Sequence, residues 1–243
     1  MSPDSAPILS VSKLVKRFGG FHALDGLSFH VASGEILGLV GPNGSGKTTA
    51  INVISGLYAP DGGGVVLDGT AIGGVASHKL VHRGINRTFQ VPKPFLSLTV
   101  RQNIEVALAY GRAAVAPPDM AELLDEYRLA DVADRPAADL NNAQQKMLDL
   151  VRALATRPRL LLLDELAAGL NPAELDWIAE RIKALAQSGI AIIVVEHLMG
   201  FIEHITDRVI VMNAGKEIFE GRLADASKNA QVVEVFLGDE HAA

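Results

Sequence analysis

Apolar positions recur along this chain in two rhythms, and the change between them divides it. From Ile8 to Asp68 the apolar runs are short and broken by glycine turns, and segments such as LSFHVA and GVVLDG read as antiparallel strands. Inside this half, from Glu35, the order becomes strand, glycine-rich turn, helix: EILGLV, GPNGSG, KTTAINVISGL. After Arg157 the runs RLLLLD, IAIIVVE and DRVIVM are apolar over four to six consecutive positions, with the helical pattern PAELDWIAERIKALAQSG between the first two. Unbroken apolar runs between helices predict strands buried on both faces of a parallel sheet. Asn171 is expected to cap that helix, with Pro172 in its first turn. Between Gln90 and Arg157 only helical patterns stand out, beginning with TVRQ, a capping box from Thr99 to Gln102. The loosest stretch is GRAAVAPPD at 111–119, and KMLDLVRALATRP reads as a helix with the polar run NNAQQ just ahead of it.

The expectation is an α/β fold of three parts: a mainly parallel core sheet, an antiparallel β flank and a helical insertion. With 243 residues, 49% of them hydrophobic and 21% charged, the chain is globular and long enough for a sizeable core. A net charge of -6 argues against a nucleic-acid partner, since phosphate binding leaves a basic excess. The absence of cysteine excludes disulfides and thiolate metal sites. No apolar run reaches the roughly 20 residues that span a bilayer, and MSPDSAPILS lacks the basic start and apolar run of a secretion signal. The composition thus points to a soluble intracellular domain.

Two motifs carry chemistry. GPNGSGKT, from Gly41 to Thr48, follows a strand and opens a helix, the context a phosphate-binding loop requires. The loop Gly41, Pro42, Asn43, Gly44, Ser45 and Gly46 would wrap the phosphates with its backbone N–H groups (Pro42 has none to give), helped by the helix N-terminus. Lys47 would hold β/γ oxygens, Thr48 would ligate Mg²⁺, and Thr49 extends the same turn. LLLLDE delivers two carboxylates to the C-terminal edge of the sheet: Asp164 to the Mg²⁺ shell and Glu165 toward the water that attacks the γ-phosphate. Alone, a DE pair after a core strand is as readily a helix start; beside GPNGSGKT it reads as the second half of a nucleotide site. Gln90, ending GINRTFQ, and His197, after IAIIVVE, are singletons that by themselves would be a solvated loop residue and a structural histidine.

GPNGSGKTT, RTFQ, a helical insertion, LNNAQQK, LLLLDE and VVEH, in this order and spacing, resemble the nucleotide-binding subunit of ABC transporters. The resemblance runs from about Ile8 to Leu237. RFGG at 17–20, DELAAGLNPAE at 164–174 and VVEVFLG look most like the ATPases of branched-chain amino acid importers. It implies one ABC ATPase domain over 8–237. A RecA-like P-loop core would lie at 35–61, 77–90 and 157–213, and an antiparallel flank at 8–34 and 62–76. A helical subdomain at 91–156 and a C-terminal hairpin and helix at 214–237 complete the set. It further implies ATP and Mg²⁺, transmembrane permease subunits, and a second ATPase subunit, identical or different, in a head-to-tail dimer at the cytoplasmic face of the inner membrane. By the same likeness Phe18 stacks on adenine (a strand-end core phenylalanine being the plain alternative), Gln90 touches Mg²⁺, and His197 contacts the γ-phosphate and water. VPKPFLSLTV would receive a coupling helix of the permease, and Asn171 would speak across the dimer as well as cap its helix.

Against the family pattern LSGGQ this chain reads LNNAQ at 140–144: Asn141 replaces the serine and Ala143 the second glycine. Asn141, Ala143 and Gln144 would still meet the partner's nucleotide from a helix N-terminus. An asparagine amide is longer and planar, and Ala143 adds a methyl and resists positive φ. A weakened grip is therefore expected, alongside Leu166 where the family has proline. The leading expectation is an ATPase that powers import of a small solute. The alternatives are a nucleotide-trapping, weakly hydrolytic subunit of an asymmetric dimer, a non-transport ABC ATPase, or, last, a small-molecule P-loop kinase.

Overall fold

The computed structural model describes residues 7–240, with side chains described to Val235. The first six residues of MSPDSAPILS and the FLG that ends VVEVFLG therefore lie outside the described side chains. In chain order the strands are β1 (Leu9–Phe18), β2 (Phe21–Val31), β3 (Ile36–Val40), β4 (Gly62–Leu67), β5 (Thr70–Ala71), β6 (Ile85–Arg87), β7 (Leu160–Asp164), β8 (Ala191–Val195), β9 (Arg208–Asn213) and β10 (Lys216–Gly221). The helices are α1 (Lys47–Ile54), α2 (Ser77–Arg83), α3 (Val100–Ala109), α4 (Met120–Glu126), α5 (Asn142–Ala155), α6 (Pro172–Gln187), α7 (Met199–Ile205), α8 (Leu223–Ala226) and α9 (Ala230–Glu240).

Two sheets form. The flank is antiparallel, in the order β2-β1-β4-β5, and the core is six-stranded, in the order β10-β9-β3-β8-β7-β6. Within the core the β9-β3-β8-β7-β6 pairings are parallel and only β10 runs antiparallel, at the edge beside β9. The unbroken apolar runs have the reason expected of them: odd and even residues serve different faces, and both are buried. Leu161, Leu163, Ile192 and Val194 face α5, α6 and α7, while Leu160, Leu162, Ile193 and Val195 face α1 and the inner side of the flank. Helix α1 is thus held between the two sheets, and its first turn is fixed in space from both sides.

Three details depart from the sequence pattern. Helix α5 begins at Asn142, so NAQQ is its first turn rather than a prelude to it. The short strand β6 hides in GINR, too brief to announce itself. Strand β10 makes a hairpin with β9 and also extends the core sheet as its antiparallel edge. The expected caps are present: Thr99 with Gln102 on α3, and Asn171 with Glu174 on α6, where Pro172 occupies the first turn. Among the described residues, 91–156 holds no strand, and no helix is long and apolar enough to cross a membrane.

Asn103, fully buried on α3, fixes the shape of the 95–99 turn. Its Oδ1 accepts from the Phe95 N–H at 2.8 Å, and its Nδ2 donates to the carbonyls of Phe95 (3.0 Å) and Thr99 (2.9 Å). Replacing it with leucine leaves buried backbone groups unmade, a loss of about 2–4 kcal/mol. Asn103→Leu should lower the urea midpoint accordingly, and an unchanged midpoint would show that this turn finds other partners.

Candidate active site

The chain leaves β3 at Val40 and turns through 41–46 into α1. Only glycine fits two of these positions. A Cβ on Gly41 would sit 2.2 Å from the Met212 carbonyl oxygen, and one on Gly46, at φ 105°, would sit 2.5 Å from that of Ala23. No side chain caps α1, which leaves its first N–H groups for an anion. Lys47, buried, folds back over the loop and donates from Nζ to the carbonyls of Gly41 (2.7 Å) and Pro42 (2.9 Å). Burial lowers its pKa, opposed by the carboxylates of Glu165 and Asp164. Asn43, Gly44, Thr48 and Thr49 line a cleft of about 380 Å³ whose far wall is Gln90, Glu165 and His197.

Those three residues come from three strand ends side by side in the sheet: Gln90 beyond β6, Glu165 beyond β7, His197 beyond β8. Gln90 donates from Nε2 to Glu165 Oε2 at 2.8 Å, and His197 Nε2 lies 3.0 Å from Glu165 Oε1. Glu165 has a left-handed backbone, φ 52°, which costs a non-glycine residue about 1–2 kcal/mol. The chain thereby breaks sharply from the strand and turns this carboxylate into the cleft. Such a carboxylate, held by an amide and an imidazole beside a phosphate-binding loop, can take or orient a proton on a bound water.

Asp164, one residue earlier, is 2% exposed and paired with Arg87, whose guanidinium donates to its Oδ2 at 3.0 Å. Burial raises the pKa of Asp164, and the Arg87 charge lowers it. Arg87 also donates to Asn52 Oδ1 (2.6 Å) and Ser55 Oγ (3.3 Å), tying β6 to α1 and β7. In the sequence Arg87 is marked only as a lone charge within GINRTFQ, which does not set it apart from a solvated arginine. The oxygen donors fit Mg²⁺: the Thr48 hydroxyl, the Asp164 carboxylate and the Gln90 amide oxygen, left over once its nitrogen serves Glu165, are hard ligands of the kind that ion takes.

Phe18 ends β1 at the cleft mouth and is 45% exposed, so the plain alternative of a core phenylalanine is excluded. Its ring meets Tyr58 edge-on at 5.2 Å, and Phe21 lies exposed on the same cleft. Nothing in the sequence spacing marks Tyr58 or Phe21 for this place.

Asn141, Ala143 and Gln144 lie elsewhere, on a smaller cavity of about 170 Å³ with Leu170, Glu174 and Trp177. One chain therefore does not bring the LNNAQ turn to its own phosphate loop. Asn141 is the N-cap of α5: its Oδ1 accepts from the Gln144 N–H (2.8 Å) and Gln144 Oε1 accepts from the Asn141 N–H (3.1 Å). Ala143 is helical and pays no positive-φ penalty, which removes half of the objection to it. Leu166, in place of the family's proline, is buried and packs into the core.

The ABC transporter family profile matches residues 24–168. The branched-chain amino acid transport ATP-binding protein BraF of Pseudomonas aeruginosa is 36% identical, with 97% of this chain and 99% of that one aligned. LivG of Escherichia coli is 34% identical over the same shares. This chain belongs to the ABC transporter family. Among solved structures, a nucleotide-free ATP-binding cassette superposes with TM-score 0.84 at 31% identity, covering 95% of this chain and 99% of that one. The ADP conformation of the cassette MJ1267 gives 0.84 at 32%, covering 96% and 100%. The fold is the P-loop cassette, and this ABC subunit is a nucleotide-binding ATPase of a transport system.

Arg87→Met should destabilise the nucleotide-free cassette by about 3–5 kcal/mol, because it leaves Asp164 buried and unpaired. Asp164→Asn in the same chain should recover part of that loss in denaturant unfolding. Additive losses would mean that the pair is not coupled.

Proposed function

We propose that this subunit hydrolyses ATP with Mg²⁺ to drive import of a small solute, an amino acid or related compound, through a separate membrane permease. It would work at the cytoplasmic face of the membrane, in a head-to-tail pair with a second ATPase subunit, identical or different. The observation that carries the reading is the Glu165 carboxylate, bracketed by Gln90 and His197 across the cleft from the phosphate loop. The relatives BraF and LivG, ATP-binding proteins of branched-chain amino acid transport, support the solute class.

In this reading Phe18 stacks on the adenine, with Tyr58 buttressing its edge. The loop amides of 41–46 and Lys47 hold the phosphates, and Thr48, Gln90 and Asp164 would hold Mg²⁺, which when bound offsets phosphate charge. Glu165 orients and deprotonates the attacking water, and His197 keeps Glu165 aimed and contacts the γ-phosphate. Exposed Val91, Phe95 and Leu96 offer the permease an apolar landing surface beside Gln90, with the Arg152 guanidinium 5.1 Å from the Phe95 ring.

A second reading, a weakly hydrolytic member of an asymmetric pair, is favoured by one observation. The Asn141 oxygen is committed to its capping box, so only its Nδ2 remains to meet a partner's phosphate. Hydrolysis by the purified chain should rise with the square of concentration if two copies complete the sites, and should vanish in Glu165→Gln while Mg-ATP binding persists. A rate linear in concentration with Glu165→Gln still active would overturn the leading reading. Rebuilding LSGGQ (Asn141→Ser, Asn142→Gly, Ala143→Gly) should raise turnover roughly tenfold. An unchanged or lower rate would mean that LNNAQ serves phosphate as well as the common form.

A further inference from the structure

Two buried charges lie outside the chemistry above, and between them they grip four consecutive residues. Lys146, in the second turn of α5, is 5% exposed, and its ammonium donates to three backbone carbonyls: Glu165 at 2.7 Å, Leu166 at 3.1 Å and Ala168 at 2.7 Å. Glu196, 2% exposed and next to His197, accepts from the Ala167 N–H at 2.6 Å. The lysine thus takes carbonyls and the glutamate takes an amide from one loop, 165–168, and no direct ion pair joins them. An ammonium on a long stem can serve three converging carbonyls, which a planar guanidinium matches poorly.

The loop they hold begins with Glu165, whose left-handed backbone persists only where surrounding bonds over-determine it. Lys146 stands two residues past Gln144, on the helix whose first turn is LNNAQ. Farther along the same helix Asp149 Oδ2 accepts from the Phe89 N–H at 2.9 Å, and Arg152 donates to the Lys93 carbonyl at 2.8 Å. One helix therefore fixes both the peptide of Glu165 and the backbone flanking Gln90, the residue that touches its carboxylate.

We propose that Lys146 is a positioning residue for hydrolysis: with Glu196 it clamps loop 165–168, and it ties the N-terminus of α5 rigidly to the carboxylate that acts on water. A shift of α5 on engaging a partner's nucleotide then moves Glu165 directly. This rests on the reading of Glu165 as the hydrolytic carboxylate.

The test compares wild type, Lys146→Met, Lys146→Arg and Glu165→Gln, with steady-state hydrolysis measured in the assembly where wild type is active. Lys146→Met should lose roughly 10- to 100-fold in kcat, the scale for a misplaced reacting group. Its KM, and its Kd for Mg-ATP by fluorescent-nucleotide titration, should stay within about twofold, since the Lys146 ammonium bonds only carbonyls of 165–168 and none of the phosphate loop. Lys146→Arg, keeping a cation, should regain part of kcat at the same KM. If Lys146→Met does not fold, Lys146→Gln, a polar variant with a shorter reach, should give the same split. A wild-type kcat in Lys146→Met, or kcat and nucleotide affinity falling together, overturns the clamp. A silent wild type in every assembly, or a Glu165→Gln chain as fast as wild type, overturns the reading of Glu165 and the clamp with it.

Discussion

Strand register at one edge of the core sheet is the constraint on which the site depends. Leu39 of β3 stands opposite Val195 of β8, and Val195 stands opposite Asp164 of β7. The next residues along each strand, Val40 and Gly41, Glu196 and His197, and Glu165, therefore emerge at one level. Because side chains alternate between faces, a slip of one residue in any strand would exchange its buried sets and also misplace its chemistry. Burial on both faces makes such a slip costly twice over. Packing that merely stabilises the sheet is thus also what assembles phosphate loop, carboxylate and histidine around one cleft.

Buried charge is the second theme, and the structure treats four cases alike: each buried ion is hydrogen-bonded to a specific partner. Lys47 lies on loop carbonyls, Arg87 on Asp164, Asn52 and Ser55, Lys146 on three carbonyls, and Glu196 on a backbone amide. Desolvation pulls the pKa of Lys47 and Lys146 down and that of Asp164 and Glu196 up. Backbone dipoles and neighbouring charges hold these groups in place against that pull. Backbone partners matter here because they convert a charge into a geometric constraint on the chain itself. Lys47 shapes the loop that meets phosphate; Lys146 shapes the loop that presents Glu165.

The motifs with strong local grammar were legible in the sequence. GPNGSGKT needs glycine where backbone packs on backbone, and LLLLDE needs apolar residues on two faces before its carboxylates, so both fold class and cleft could be read from spacing. Long-range partners could not. Arg87 meets Asp164 across 77 positions of chain, and Lys146 meets Glu165 across 19; neither carries a periodic signature, since each satisfies one specific buried neighbour. Strand β6 escaped because three residues are too few for an alternation to register. The start of α5 is hidden in the sequence for a physical reason. Polar residues in a first turn look like loop by composition, yet Asn and Gln there are the residues that complete a capping box.

That capping box changes how the degenerate signature should be weighed. A serine N-cap offers one oxygen that both accepts from the helix and donates through its hydroxyl to an anion ahead of it. Asn141 divides these tasks between two atoms: its oxygen closes the helix and its nitrogen is left to donate. The helix end and its dipole are therefore intact, and Ala143 sits in ordinary helical backbone without strain. What differs is where the donor stands, one bond farther out on a planar group, and in the proposed pair it would face a phosphate whose charge is spread over oxygens at fixed distances. In phosphoryl transfer, position rather than the mere presence of a donor sets the rate. In the proposed pair the substitution would thus act on alignment, while the architecture of the single subunit keeps its capped helix end.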